Sequence, residues 1–298
     1  MKLVRYALNG EIGIGIVRDG DVFDIRKGVR ESGLKNTEAN SIEYLLSDLV
    51  SLNLVEEEII RSGHKAPLSS VKLMTPIAEP EKILCAAVNY KSHGAEQDLK
   101  PPSEPYFFTK FRNTLIADGD PIIIPRISKK VDWEVELAVV IGRSGKYIRK
   151  QDAMDYVAGY AVSNDVSFRD LQFPPWWNGS SPFGQNFVKG KGLDAAFPFG
   201  PWLVTKDEIR NPDKLELLLS VDGKVMQKSS TADMIFGIDY LIEYLSAGMT
   251  LKPGDIISTG TPFGVALFSG QPYLKQGNVV EASISGIGTL RNPVVAEP

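Results

Sequence analysis

Three stretches of the chain hold the side chains that could do chemistry. In the first, Asp132-Trp133-Glu134-Val135-Glu136-Leu137-Ala138-Val139-Val140-Ile141-Gly142, the two-residue period and β-branched content predict a strand. That period puts Glu134 and Glu136 on one face, about 7 Å apart along the strand, with Ala138 and Val140 continuing the face. A face that is apolar at one end and doubly anionic at the other calls for positive charge opposite it, because buried carboxylates are paired or bind metal. A strand end emerging into solvent explains the pair equally well at this stage. The second stretch, from Val162 to Gln172, ends a predicted strand in a polar cluster whose Asp165 offers a third carboxylate. Three hard oxygen ligands, with water completing the shell, suit Mg²⁺ or Mn²⁺. Arg169 and Asp170 by themselves read as a surface pair. The third stretch, Asn89 to Glu96, sets His93 three residues before Glu96, so the two share a face if the segment makes a helical turn. A histidine oriented by a carboxylate is a common general base, although His-x-x-Glu alone also recurs without any chemical role. Gly260-Thr261-Pro262-Phe263-Gly264 reads either as a plain turn or as a loop whose free N–H groups hold a carboxylate.

The elements that must position these residues can be read from pattern and composition. The chain has 298 residues with 33 Lys+Arg against 37 Asp+Glu, a formal charge of −4, and a sequence pI near 5.4. That balance argues against a nucleic-acid partner, which would call for a basic face. One cysteine, Cys85, permits no intramolecular disulfide and no Cys-rich metal site, and with two histidines, His64 and His93, a His-rich site is unavailable too. No apolar signal segment comes after the N-terminus and no apolar run approaches the roughly 20 residues of a membrane helix, so the expectation is a cytoplasmic protein without membrane contact. Asn178-Gly179-Ser180 then reads as a turn, and His64 as a surface residue.

Residues 2–26 alternate around Asn9-Gly10 and Asp19-Gly20, which predicts hairpins. Gly13-Ile14-Gly15 lies inside that pattern and reads as strand rather than dinucleotide loop. Leucines between residues 41 and 61 predict one or two amphipathic helices. Prolines at 67, 76 and 80 mark a boundary near residue 75, dividing residues 1–75 from 76–298. Strands are predicted at 83–88, 121–124, 133–141, 157–164, 199–204, 215–221, 255–259 and 279–285, with one long helix over 233–246. The fold class is therefore a β-rich α+β protein with a small N-terminal α/β domain.

Taken in order, several of these stretches resemble the fumarylacetoacetate hydrolase family, in its short acylpyruvase, isomerase and decarboxylase branch. The matching pieces are Asn89-Tyr-Lys-Ser-His93-Gly-Ala-Glu96, Pro105-Tyr-Phe-Phe-Thr-Lys110, Trp133 to Gly142, Gly159 to Gln172, Lys191-Gly-Leu-Asp194 with Gly200-Pro201, and Pro253-Gly-Asp with Thr259-Gly-Thr-Pro-Phe-Gly264. The resemblance implies the family's mixed β-sandwich roll in a homodimer. It implies Mg²⁺ or Mn²⁺ on Glu134, Glu136 and Asp165, and a base dyad of His93 and Glu96. Lys191 takes the place of the active-site lysine; Lys189 competes for it but lacks the Gly-Leu-Asp that comes after Lys191. Lys110, Gln172, Thr261 and Gly260 match positions that touch a small 2-oxo acid substrate.

Two departures qualify the match. Ala87 stands where many members have glycine, and no aspartate precedes His93, so the four-carboxylate site of the large fumarylacetoacetases is not expected. The implied reaction is C–C hydrolysis of an acylpyruvate-like acid, with isomerase or oxaloacetate decarboxylase action as the alternative and a non-enzymatic acid binder disfavoured. The aromatic, glycine-rich segment 173–187 reads as a wall of the substrate pocket or as a self-packed surface loop.

Overall fold

Alternation in the first 24 residues folds as three strands, Lys2–Leu8, Glu11–Arg18 and Asp21–Asp24, joined by the two-residue turns Asn9-Gly10 and Asp19-Gly20. All four turn residues have φ between 51° and 85°, the left-handed backbone that hairpin turns of this kind require. The computed structural model describes residues 1–32, 41–46, 49–173 and 184–298. Within them lies a large mixed sheet. It runs, in order, Lys65–Pro67, Asp21–Asp24, Glu11–Arg18, Lys2–Leu8, Phe197–Thr205, Val157–Asn164, Val135–Ile141, Ile256–Ser258, Ile83–Ala87 and Tyr106–Lys110. Neighbours on this path are antiparallel except Ile256–Ser258 and Ile83–Ala87, which run parallel. A second sheet orders Lys224–Ser230, Glu216–Val221, Val279–Ile284, Gly288–Ala296 and Ile122–Ile124. The β-rich mixed-sheet class expected from the sequence is the class observed.

Val135–Ile141 is buried on both faces and separates two cores. Leu137, Val139 and Ile141 pack with Leu217, Leu219, Ala282 and Ile284 of the second sheet. On the other face, Ala138 and Val140 pack with Leu3, Ile14, Ile42 and Ile59 from the first sixty residues. The pairing of Lys2–Leu8 with Phe197–Thr205 thus makes the segment before residue 75 share both sheet and core with the rest of the chain.

The helix expected over 233–246 begins later. Thr231–Asp233 is a short 3₁₀ turn, capped by the Ser230 hydroxyl accepting from Ala232 N, and the α-helix covers Ile238–Ser246. Met234 to Gly237 stays out of the helix because its backbone pairs elsewhere: Met234 bridges Tyr90, Ile235 N donates to Asn89 O, and Phe236 N donates to Asn89 Oδ1. Among the described residues no helix is long and apolar enough to cross a membrane.

Candidate active site and metal centre

Strand register assembles the carboxylates. Val135 faces Asn164 and Glu136 faces Ser163 across the antiparallel ladder, so Asp165, one residue past its strand, comes level with Glu134, one residue before its own. Two bonds lock that end: Asp165 N donates to Glu134 O at 2.9 Å, and Glu134 N donates to the Asn164 side chain at 2.9 Å. One carboxylate oxygen from each of Glu134, Glu136 and Asp165 then lies within 4.8 Å of the others, and all three residues are buried. Oxygens bound to one cation at about 2.1–2.4 Å can be no more than about 4.2–4.8 Å apart, so the cluster has the span of a Mg²⁺ or Mn²⁺ site.

The charge balance makes the same point. Arg169 bridges Asp132 (2.8 Å) and Glu134 (2.5 Å), Lys191 bridges Glu134 (2.6 Å) and Asp165 (2.7 Å), and Lys110 pairs with Asp165 (2.6 Å). Among the described residues of this cluster, three buried cations face four buried carboxylates, and Glu136 is the one without a cation. Its Oε2 accepts from neutral donors, the Ser258 hydroxyl at 2.5 Å and Gly260 N at 3.0 Å. Burial, then the negative charges of Asp165 and Glu134, push the Glu136 carboxyl well above the usual range. Burial works the same way on Glu134, but Lys191 and Arg169 outweigh it and hold that carboxyl low. A divalent cation would supply the charge that Glu136 lacks, and the residues present fit it.

Lys191 sits on the short helix Phe187–Lys191, which packs so tightly on Gln172 that a Cβ at Gly190 would come within 2.5 Å of the Gln172 Cβ. Lys191 is 2% exposed and Lys189 is exposed, so of the two lysines only Lys191 reaches the site. Burial disfavours its charge, but Asp165 and Glu134 prevail and keep the ammonium protonated beyond the usual lysine range.

His93 lies on the short helix Lys91–Glu96. Its Nδ1 is 2.5 Å from Glu96 Oε1, and Glu96 Oε2 accepts from Gly264 N at 3.0 Å. Asn89 anchors the approach to this helix by donating to Phe236 O and Thr259 O while accepting from Phe236 N. His93, Glu134, Glu136, Arg169 and Lys191 all line one cleft.

Several expectations are corrected. Arg169 is no surface residue: at 5% exposed it donates from three nitrogens to Asp132, Glu134 and Gln172. Asp170 is not its partner but accepts from the Ser128 hydroxyl and Lys129 N. Lys110, expected at substrate, lies behind Asp165 with its ammonium on that carboxylate and on Val166 O. Gly260 holds the protein's own Glu136 rather than a ligand. With φ at 92°, and Ala86 O and Asn89 Cβ both 3.0 Å from where a Cβ would sit, only glycine aims that N–H. Thr261 and Gln172 do line the cleft. Of the segment 173–187, Phe173, Gln185 and Phe187 line it as well, while 174–183, with Trp176, Trp177 and the Asn178 turn, lie outside the described residues.

Sequence reasoning missed Arg169, Asp132 and Ser258. Only the spacing of Arg169 three residues before Gln172, the same helical spacing that flagged His93 and Glu96, pointed toward one of them.

Residues 82–295 match the family profile described as fumarylacetoacetate (FAA) hydrolase C-terminal. The chain belongs to this family. As a family member it is 42% identical over 300 residues to a bovine (Bos taurus) protein named oxaloacetate tautomerase FAHD2A, mitochondrial, covering 99% of this chain and 92% of that one. It is 30% identical to maleylpyruvate hydrolase from Sphingobium sp. SYK-6, solved with manganese(II) and pyruvate, with a TM-score of 0.79 and full coverage of both chains. It is 31% identical to 2-hydroxyhepta-2,4-diene-1,7-dioate isomerase from Mycobacterium marinum, with a TM-score of 0.73 over 100% of this chain and 99% of that one. These relatives are enzymes named for small organic acids, and the manganese in one of them agrees with the buried acidic triad here.

Proposed function

We propose that this family member catalyses keto–enol proton transfer on a short 2-oxo acid of the oxaloacetate class, with Mg²⁺ or Mn²⁺ held by Glu134, Glu136 and Asp165. The observation that carries the reading is a base dyad and a charged lysine lining the same cleft as an acidic cluster one cation short of balance. The 42% identity to an oxaloacetate tautomerase supports the choice of substrate class.

A bound divalent cation would supply a chelation point for the acid's carboxylate and keto oxygens and act as a Lewis acid. With Glu136 ionised, as a bound cation would require, four carboxylates against three cations amount to one negative charge. With a divalent ion it carries one positive charge, which matches a monoanionic 2-oxo acid head. Lys191 has three N–H donors, two of them on Glu134 and Asp165, which leaves one for a substrate oxygen. Preorganised positive charge there acts where negative charge develops, on the C2 oxygen. Glu96 accepts from His93 Nδ1–H, so Nε2 carries the lone pair and is the base. His93 Nε2 takes a proton from C3, the electron pair enters the C2–C3 bond, the carbonyl pair moves to the C2 oxygen, and His93 gives up the same proton to that oxygen, which completes the enol and restores the neutral base. The reverse sequence gives the keto form.

C–C hydrolysis of an acylpyruvate is the second reading, supported by the likeness to maleylpyruvate hydrolase. It passes through the same enolate, with His93 deprotonating water instead of carbon. The test is to strip the metal, add back Mg²⁺ or Mn²⁺, and monitor the ketonisation of enol-oxaloacetate by ultraviolet absorbance and acetylpyruvate by NMR. Metal-dependent acceleration of ketonisation is the expected result. Acetate and pyruvate from acetylpyruvate with no effect on oxaloacetate would replace the first reading with the second.

A further inference from the structure

The direction of a hydrogen-bond chain leaving Arg169 is fixed by chemistry. A guanidinium can only donate, so Arg169 Nη1 at 3.0 Å from the Gln172 side chain forces Oε1 of Gln172 to be the acceptor. The Gln172 amide nitrogen is then the donor on the far side, and it meets Oε1 of Gln185 at 2.6 Å. Gln185 is thereby left with its amide N–H₂ as the end of the chain, on a residue that lines the cleft. The backbone holds the two glutamines opposite each other, because Asn186 N donates to Gln172 O at 3.0 Å and Gly190 packs against the Gln172 side chain. Each link polarises the next, so the terminal N–H₂ is a strengthened donor. Among the described residues lining the cleft, the guanidinium and ammonium groups are those of Arg169 and Lys191, both already held by carboxylates.

We infer that Gln185 is a specificity-determining residue that donates to an oxygen on C4 of the substrate, so the cleft selects 2-oxo acids carrying a second oxygen group two carbons beyond the keto carbon. The inference deepens the 2-oxo acid reading above and rests on it. The oxygen belongs to a ketone in an acylpyruvate and to a carboxylate in oxaloacetate.

The test uses Mn²⁺-loaded protein and binding read by stopped-flow tryptophan fluorescence before turnover. The probes are 2-oxopentanoate, 2,4-dioxopentanoate, which differs from it only by the C4 oxygen, and oxaloacetate. The variants are Gln185→Leu and Gln185→Glu. Glutamate still accepts from Gln172 and so keeps any structural role, but it removes the terminal donor. Both variants are expected to weaken 2,4-dioxopentanoate about tenfold, the worth of one hydrogen bond, while 2-oxopentanoate binds as to wild type. Gln185→Glu should weaken oxaloacetate further than Gln185→Leu does, because like charges then meet. Unchanged affinity of Gln185→Glu for 2,4-dioxopentanoate, or equal loss for both five-carbon acids, overturns the inference. If wild type binds none of the three acids, the 2-oxo acid reading itself fails.

Discussion

Nδ1 of His93 lies 2.5 Å from Oε1 of Glu96, three residues along one short helix, and the other oxygen of Glu96 accepts from Gly264 N. Gly260, at the start of the same five-residue loop, donates to Glu136. A single loop therefore sets the distance between the base and the acidic cluster.

From this arrangement His93→Ala should lower turnover by about 10²- to 10⁴-fold, the usual worth of a positioned base, while leaving Mn²⁺ affinity unchanged. Glu96→Gln should lose less, because the imidazole keeps a partner but not a charged one. Steady-state rates paired with metal titrations check both, and a His93→Ala variant with full turnover would remove the base assignment.

Lys191 and Lys189 separate cleanly. Lys191→Ala should reduce kcat by about 10²- to 10³-fold, in the range seen for single groups that stabilise a developing oxyanion. Lys189→Ala, at an exposed site, should stay within twofold of wild type. Parallel kinetics on the two variants decide the matter, and equal losses would reassign the lysine.

Arg169 places three nitrogens on three different acceptors, a geometry that lysine cannot copy. Arg169→Met should cost about 3–5 kcal/mol of stability, because it leaves the buried Asp132 with backbone N–H donors but no cation and takes one of two cations from Glu134. Adding Asp132→Asn should recover part of that loss. Denaturant unfolding of the single and double variants reads the coupling, and simple additivity would contradict the pairing.

Glu136 gives a pH dependence with a definite sign. Its native carboxyl titrates well above the ordinary value of 4.5, so the native state binds this proton more tightly than the unfolded chain does. In metal-free protein its contribution to stability is full below pH 4.5 and is lost as pH rises through the raised native value. Glu134, held low, works in the opposite direction and only below 4.5. Glu136→Gln should flatten the fall in Tm with rising pH in metal-free protein, and should also abolish high-affinity Mn²⁺ binding. Thermal scans of both proteins across pH, with and without Mn²⁺, give the comparison; identical slopes would refute it.

The sequence by itself determined what is local. Alternation at 133–141, glycine turns at 10 and 20, the three carboxylate-bearing positions and the three-residue spacing of His93 and Glu96 all depend on neighbours a few residues away. Tertiary structure decided which charges meet. Arg169 looked like a surface partner of Asp170 until the fold set it between Asp132 and Glu134, 37 and 35 residues away. Lys110 turned to Asp165, 55 residues on, and the loop at Gly260 closed on Glu136, 124 residues before it. The helix expected from Asp233 gave up its start because the Tyr90 backbone and the backbone and side-chain oxygens of Asn89 offered Met234 to Phe236 other partners. Such choices come from strand register and from the cost of leaving a buried charge or amide unpaired, and neither is written in the spacing of residues along the chain.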